Sequence, residues 1–328
     1  MLKMASFVLS AASLALCLGF QGNSFAAEDV PAGADKTSIK AWNDPRPATW
    51  STSFPKFAAV KPGDGSLARV QQNGLAICVD QSYYPMNTIN PTSGKAEGWL
   101  VDMDNYIAAK LGIKSIRYVN IGYTALIAGL QTKKCDVVDS GLAIRTDRAE
   151  AKDVKFTWPT YIFYDVIIAK LGTAISNIQA LKGRSVCSTT GSTDAMNLTS
   201  WLEKEHLTDA VKVREFNSLS ECLLALRNEQ VDAGWGEEAT ASAGLEKFGG
   251  LGRAAGPFPY IPSGKYAQDA TANPYTFGAS AALTREEDRD LNLGWSIAVQ
   301  MMVDDGTHKQ ILTKWHVEVP TANPVRVR

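Results

Sequence analysis

One repeated hand-over constrains this chain more than any other feature: a short apolar run ends in small or polar residues, and a helical pattern follows. Leu75 to Val79 runs into Asp80 and then Tyr83-Tyr84-Pro85-Met86. Asp136 to Asp139 hands over to Ser140-Gly141 and Thr146-Asp147-Arg148, Ser185 to Ser188 to Gly191-Ser192-Thr193, and Val231 to Trp235 to Glu237-Glu238. Between the runs, Leu100, Met103, Ile107 and Leu111 recur at helical spacing until Gly112 stops them. Ala125 to Lys133 and Thr193 to Glu205 read as further helices, as does Cys222 to Asn228, which opens on the capping box Ser218-x-x-Glu221. Ser115 to Val119 and Val211 to Phe216 read as strands, and Asp165 to Lys170 as a strand able to carry a crossover. This alternation predicts βαβ units and largely parallel sheets. In such open sheets ligands bind beyond the carboxyl ends of the strands, which is where these polar groups fall.

Towards the C-terminus, Thr284-x-x-Glu287 reads as the cap of a long helix with Leu291, Trp295, Ala298 and Met302 on one face. Asp304-Asp305-Gly306 ends it, and Thr307 to Trp315 forms a last short helix. Gly, Pro and Tyr are frequent from Gly249 to Tyr275, which reads as loop.

With 33 basic and 34 acidic residues the net charge is −1, so nucleic-acid binding has no electrostatic support. The first 26 residues carry Lys3, a mostly apolar stretch from Phe7 to Phe20 and small residues at Ser24-Phe25-Ala26. They read as a secretory signal, shorter than the roughly 20 apolar residues a span needs, and predict a periplasmic product with the signal removed. Leu16 before Cys17 is too bulky for the small residue that precedes a lipidated cysteine. Residues 27 to about 70, with Trp42, Trp50, Phe54 and Phe57 as their few large apolar groups, read as an N-terminal extension.

The other cysteines are Cys78, Cys135, Cys187 and Cys222. An oxidising compartment permits disulfides, and four cysteines allow three complete pairings. Cys78 with Cys135 and Cys187 with Cys222 is the simplest; four buried thiols are the alternative. There is no CxxC, and His206, His308 and His316 are scattered, so neither a metal nor a cofactor is expected. Gly250-Leu251-Gly252-Arg253-Ala254-Ala255 imitates a dinucleotide fingerprint but lacks the preceding strand.

Arg148 is the first candidate for a binding site, because a guanidinium pairs two-pronged with a carboxylate. Gly191-Ser192-Thr193 precedes a helix, where free amides attract anions. Glu237 and Asp80 are placed to receive an ammonium group, unless each is a solvated loop acid. Tyr83, Tyr84, Trp99 and Tyr123 supply faces for an apolar or cationic side chain, or else belong to the core. Together the set matches a zwitterionic α-amino acid.

These residues, in this order, resemble the periplasmic polar amino-acid-binding proteins of ABC transporters, solute-binding protein family 3. The resemblance runs from about Leu75 to Trp315. It is carried by Leu75-Ala76-Ile77-Cys78-Val79-Asp80 with Tyr83 and Pro85, by Gly98-Trp99-Leu100-Val101-Asp102, by Lys134-Cys135-Asp136 with Ser140-Gly141 leading to Arg148, by Leu181-Lys182-Gly183-Arg184-Ser185-Val186 with Gly191-Ser192-Thr193, and by Asp304-Asp305-Gly306-Thr307 with Lys314-Trp315. It implies a two-lobed α/β, type II periplasmic-binding-protein-like fold with two crossing hinge strands. The lobes would be residues 71–162 with 278–328, and 163–277. It also implies a ligand set of Asp80, Tyr83, Tyr123, Ser140, Gly141, Arg148, Ser192, Thr193 and Glu237, with the carboxylate on Arg148 and the Gly191 to Thr193 turn and the α-amino group on Glu237. A monomer is expected, working with a membrane permease. Ala143, Arg145, Asp139 and Leu100 depart from the family's pattern. Two rival readings use the same fold: a periplasmic dehydratase of prephenate-like acids, with Glu237 or Asp80 as general acid, and a soluble ligand sensor.

Overall fold

The computed structural model describes residues 63–239, 248–258, 260–261 and 278–317. The expectations for the signal segment, for most of the extension and for residues 262–277 therefore lie outside the described residues.

A helix, α1 (Ser66–Asn73), leads into β1 (Leu75–Val79), a small ribbon of β2 (Thr88–Ile89) and β3 (Ala96–Glu97), α2 (Trp99–Lys110) and β4 (Ile116–Asn120). Next come α3 (Leu126–Gln131), β5 (Val137–Val138), the turn-length helix α4 (Thr146–Ala149) and the long strand β6 (Val154–Phe163). The second unit holds β7 (Asp165–Lys170), β8 (Ser185–Thr189), α5 (Thr193–Lys204), β9 (Lys212–Phe216), α6 (Leu219–Arg227), β10 (Ala233–Glu237) and β11 (Leu251–Phe258). The chain then returns as β12 (Gly278–Arg285), α7 (Arg289–Asp304) and α8 (Thr307–Lys314).

Two five-stranded sheets result, ordered β4-β1-β5-β12-β6 and β11-β7-β10-β8-β9. β1 is parallel to β4 and β5, and β8 is parallel to β9 and β10, as the βαβ reading requires. The chain crosses from the first sheet to the second at Tyr164, between β6 and β7, and goes back between β11 and β12. The molecule is thus a two-lobed α/β protein.

Every residue of β1 is buried, because both faces of the first sheet are covered. Alternation divides the strand: Leu75, Ile77 and Val79 pack with Leu67, Leu291 and Trp295 on one face, while Ala76 and Cys78 pack with Leu126 and Leu130 on the other. The second sheet repeats the scheme, with Ile167 and Ala169 on one face and Val166 and Ile168 on the other. Each lobe carries one disulfide, Cys78–Cys135 and Cys187–Cys222, in the simplest of the possible pairings.

Two expectations are corrected. Residues 251–258, read as loop, form β11, which pairs antiparallel with β7 at the edge of the second sheet, through two register shifts. An edge position tolerates Gly252, Gly256 and Pro257 because the outer row of backbone groups needs no partner strand. Thr284 lies within β12, and the long helix starts at Arg289 instead. Its exposed amides are capped from far away: Asp64 Oδ2 accepts from Arg289 N at 2.5 Å and Asp290 N at 3.2 Å, and Ser66 Oγ accepts from Leu291 N at 3.0 Å. Asp290 in turn accepts from the amides of Gly63 and Gly65 at 3.3 and 3.1 Å. Residues at the end of the supposed extension thus complete the first lobe.

Candidate functional site

The loop after β1 is set by a close approach. Gly98 has φ of 140°, and a Cβ there would lie 2.1 Å from the Met86 carbonyl oxygen, so no side chain fits. Trp99 N and Leu100 N then donate to Pro85 O and Met86 O at 3.0 and 3.3 Å, which seats Tyr83 to Met86 on the start of α2. Gly141, at φ of 65°, likewise leaves room for Met86, whose Sδ would be 2.6 Å from an added Cβ.

The carboxyl ends of β1 and β5 are pinned together where Asp80 N donates to Ser140 Oγ at 2.9 Å. Asp80 Oδ1 accepts from Ser82 N and Ser82 Oγ at 3.0 and 2.7 Å. That carboxylate therefore organises the loop, and it does not line the cavity.

Between the lobes lies a small cavity lined by Tyr83, Met86, Tyr123, Ser140, Gly141, Thr193, Asp194 and Glu237. Six of the nine residues expected from the sequence line it; Asp80, Ser192 and Arg148 do not. Ser192 is the N-cap of α5, its Oγ accepting from Ala195 N at 3.0 Å, so its hydroxyl serves the helix. Arg148 sits directly behind the lining. It donates to Ala143 O at 3.1 Å and Tyr123 Oη at 3.2 Å within the first lobe, and to Thr193 Oγ1 and Gly191 O at 3.4 Å in the second. Its guanidinium carbon lies 5.6 Å from the centre of the Tyr123 ring. None of these four bonds goes to a carboxylate.

Ala143 lacks a hydroxyl, but its carbonyl holds Arg148. Arg145 is satisfied separately: Nε and Nη2 grip Asp147 at 3.0 and 2.9 Å, and Nη1 reaches Met196 Sδ on α5 at 2.9 Å. Trp99 is core rather than wall, fully buried with its ring 4.5 Å from that of Tyr161 at 80°. Tyr83 and Tyr123 remain on the wall, with ring centres 5.7 Å apart.

Glu237, the last residue of β10, is buried and not a solvated loop acid. Tyr161 Oη donates to its Oε1 at 2.6 Å, linking the end of β6 to the second lobe. Burial pushes its carboxyl up to about 8, Tyr161 opposes the shift, and nearby Asp194 adds to it. Asp194 is pushed up to about 6 by burial, against the pull of Asp165, Arg148 and Arg145. Asp165 is raised well above the usual carboxylate range by burial and by Asp194.

Sequence reasoning missed Asp194 and Tyr161 and gave Met86 no role. Asp194 follows Thr193 at a helix start, where an acid is ordinary, and only the fold brings it to face Glu237. Among the described residues no group of three or more His, Cys, Asp or Glu is placed to hold a metal ion, and no helix is long and apolar enough to cross a membrane.

Two lobes on separate sheets, joined by crossing strands and closed over a small polar cavity, define a ligand-trapping protein. Residues 75–318 match the family model of bacterial extracellular solute-binding proteins, family 3, and the chain belongs to that family. It is 24% identical over 238 residues to ABC transporter arginine-binding protein 1 of Escherichia coli K12, covering 72% of this chain and 88% of that one. With the lysine/arginine/ornithine-binding periplasmic protein of the same strain it shares 26% over 247 residues, covering 74% and 86%. Among solved structures it matches a mutant of ArgBP from T. maritima at TM-score 0.62 and 23% identity, covering 77% of this chain and 100% of that one. The dehydratase alternative finds no support in these relatives.

Proposed function

We propose that this protein captures an α-amino acid between its lobes outside the cytoplasm and presents it to an ABC-transporter permease. The observation that carries the reading is Arg148: only 5% exposed, with no carboxylate partner among the described residues, behind a cavity that Glu237 lines from the second lobe. A buried guanidinium is costly unless its charge is matched, and an α-carboxylate supplies the match in two-pronged form. The amides at the start of α5 add donors to the same carboxylate, and Thr193 orients Arg148 from the second lobe. Glu237 receives the α-ammonium group, whose charge favours the ionised carboxylate. Tyr83 and Tyr123 cover the side chain. Asp80, Ser140 and Ser192 act by holding the strand ends and the helix start in place.

Because the ligand touches both lobes, it binds the closed arrangement better than an open one, and only such differential contact shifts the equilibrium. In this reading residues 71–162 with 278–328, joined by Asp64 to Val70 at the end of the extension, form one jaw and 163–277 the other, in a monomer whose first 26 residues are removed on export. The names of the relatives, arginine-binding and lysine/arginine/ornithine-binding, support a ligand among the polar amino acids.

Isothermal calorimetry over the L-amino acids tests the reading. Arg148→Ala is expected to lower the affinity of whichever amino acid binds by about ten- to a hundred-fold or more, since each charged hydrogen bond contributes about 1.5–3 kcal/mol. An unchanged affinity removes Arg148 from the site.

A further inference from the structure

The cavity between the lobes has room for about one water molecule. An α-amino acid is larger, so it displaces part of the lining as the lobes close over it. The lining side chains differ in how firmly they are fixed. Tyr123 Oη and Thr193 Oγ1 each accept from Arg148, Ser140 Oγ accepts from Asp80 N, and Glu237 accepts from Tyr161. Tyr83 packs against Tyr123, with Thr189 at its hydroxyl. Asp194 is drawn by the charges of Arg148 and Arg145. Moving any of these disturbs a polar contact. Met86 differs. Its backbone is pinned, since Met86 O accepts from Leu100 N at 3.3 Å and Gly98 lies against it. Its side chain, among the described residues, is held by apolar packing. An unbranched, rotatable thioether is the kind of side chain that refills a space of changed shape at least cost.

Gly141 decides where that thioether lies. Met86 is 3% exposed, and its Sδ and Cε would stand only 2.6 and 2.8 Å from a Cβ at position 141. The space left by the missing side chain of Gly141 is therefore taken by Met86, which both fills it and lines the cavity. On the other side of Gly141 the same Cβ would lie 3.3 Å from Tyr161 Oη, the hydroxyl that reaches Glu237. With the ligand carboxylate at Arg148 and its ammonium at Glu237, the third substituent on Cα turns to the remaining wall of the first lobe, which is Tyr83, Tyr123 and Met86 over Gly141. The two tyrosines offer ring faces. Met86 offers a chain end that can advance into the cavity or withdraw from it.

We infer that Met86 is a specificity-determining residue: seated on Gly141, its thioether closes the side-chain end of the cavity and sets how long a ligand side chain the lobes can close over. The inference rests on the amino-acid reading of the cavity. A short side chain leaves Met86 in its seat. A longer one meets the thioether and has to drive it into a packed core that includes Trp99, Tyr161 and Leu142, and overpacking of that kind is unfavourable. Shortening residue 86 opens the pocket by the space of the lost thioether. Adding a Cβ at 141 does the reverse, because it pushes the free end of Met86 into the cavity. The two positions therefore act on side-chain length in opposite directions.

The experiment measures affinities by calorimetry for pairs that differ by one methylene and keep the same end group: L-asparagine with L-glutamine, L-2,4-diaminobutyrate with L-ornithine, and L-2-aminobutyrate with L-norvaline. Whatever a variant does to lobe closure in general is common to both members and cancels in their ratio. In the pairs that bind, Met86→Ala is expected to favour the longer member by about fourfold or more relative to the unaltered protein, the worth of one buried methylene. Gly141→Ala is expected to move the ratio about as far towards the shorter member. A ratio that stays within about twofold of the original in either folded variant overturns the inference and leaves the amino-acid reading standing. A second measurement needs only the unaltered protein and Met86→Leu, which conserves volume. With methyl-13C methionine, the signal lost in Met86→Leu is the Met86 methyl, and in the unaltered protein it is expected to move on binding, further with the longer member of a pair. A Met86 signal that no bound amino acid moves overturns the inference even if Met86→Ala and Gly141→Ala fail to fold. If no L-amino acid binds at all, the amino-acid reading falls and takes the inference with it.

Discussion

The two faces of the cleft solve opposite electrostatic problems. The first lobe offers Arg148, held by a carbonyl and a phenol at fixed distances, and a guanidinium keeps its charge at any ordinary pH. The second lobe offers Asp165, Asp194 and Glu237, all buried and all with carboxyls raised above their usual range, mainly by burial. One face is permanently charged, while the other holds its charge in reserve as bound protons. The difference teaches how a closed cleft limits the cost of buried charge: near neutral pH Glu237 and Asp165 hold their protons, while Asp194, beside Arg148 and Arg145, gives its proton up more readily.

The largest expected effect concerns what keeps each face rigid. Replacing Cys187 and Cys222 by Ala is expected to cost about 2–5 kcal/mol of stability, and Cys78 with Cys135 about 0.4 kcal/mol more. The difference follows from their separations of 35 and 57 residues. Denaturant titrations check both; a lobe indifferent to losing its bridge breaks the symmetry assumed between the two. Next comes pH. An acid whose native form holds its proton more tightly than the unfolded chain destabilises the fold as pH rises from its unfolded to its native value. The ligand-free protein is therefore expected to lose stability between about pH 4.5 and about pH 8, at up to about 1.4 kcal/mol per unit for each such group. Glu237→Gln flattens this loss in melts at several pH values. The slope that remains includes the first lobe's own buried acid, Asp139, which burial pushes up to about 7 beside Asp104.

A smaller effect tests geometry on the permanent side. Arg148→Lys keeps the charge and loses the fork, and is expected to weaken ligand binding about tenfold in calorimetry. Affinity equal to the original protein's would make charge alone sufficient. The smallest is Tyr161→Phe, which deletes the one hydroxyl that spans from β6 to Glu237. It is expected to cost about 0.5–1.5 kcal/mol of stability. An equal shift in ligand affinity would mean that the bond must be surrendered before the ammonium group enters.

Much of the lobe architecture was legible because β1, α2, β8 and α5 obey local rules: an apolar run, a helical period, a capping Ser192. The misreadings came where distant residues override local ones. Thr284-x-x-Glu287 has the form of a cap, yet the amides of α7 are taken by Asp64 and Ser66, 225 residues earlier in the chain. The Asp288 side chain at the N-cap position is drawn to Arg285 at 2.6 Å and makes no cap of its own. β11 is disguised by glycines and Pro257 that only an edge strand accommodates. In the site, Arg148, Thr193 and Glu237 stood out because charge or hydroxyl follows an apolar run. Asp194 and Asp165 did not, since each alone is an ordinary residue at the start of a helix or strand.

The position of β12 has a consequence for biogenesis. It lies between β5 and β6 and pairs with both, although its residues follow the entire second sheet in the chain. A polypeptide emerging N-terminus first exposes β5 and β6 with an empty slot between them until residue 278 and its successors arrive. Such unpaired strands are a template for joining other chains. The later-emerging half, contiguous from β7 to β11, is complete before that slot is filled, so maturation ends with the first jaw, not the second.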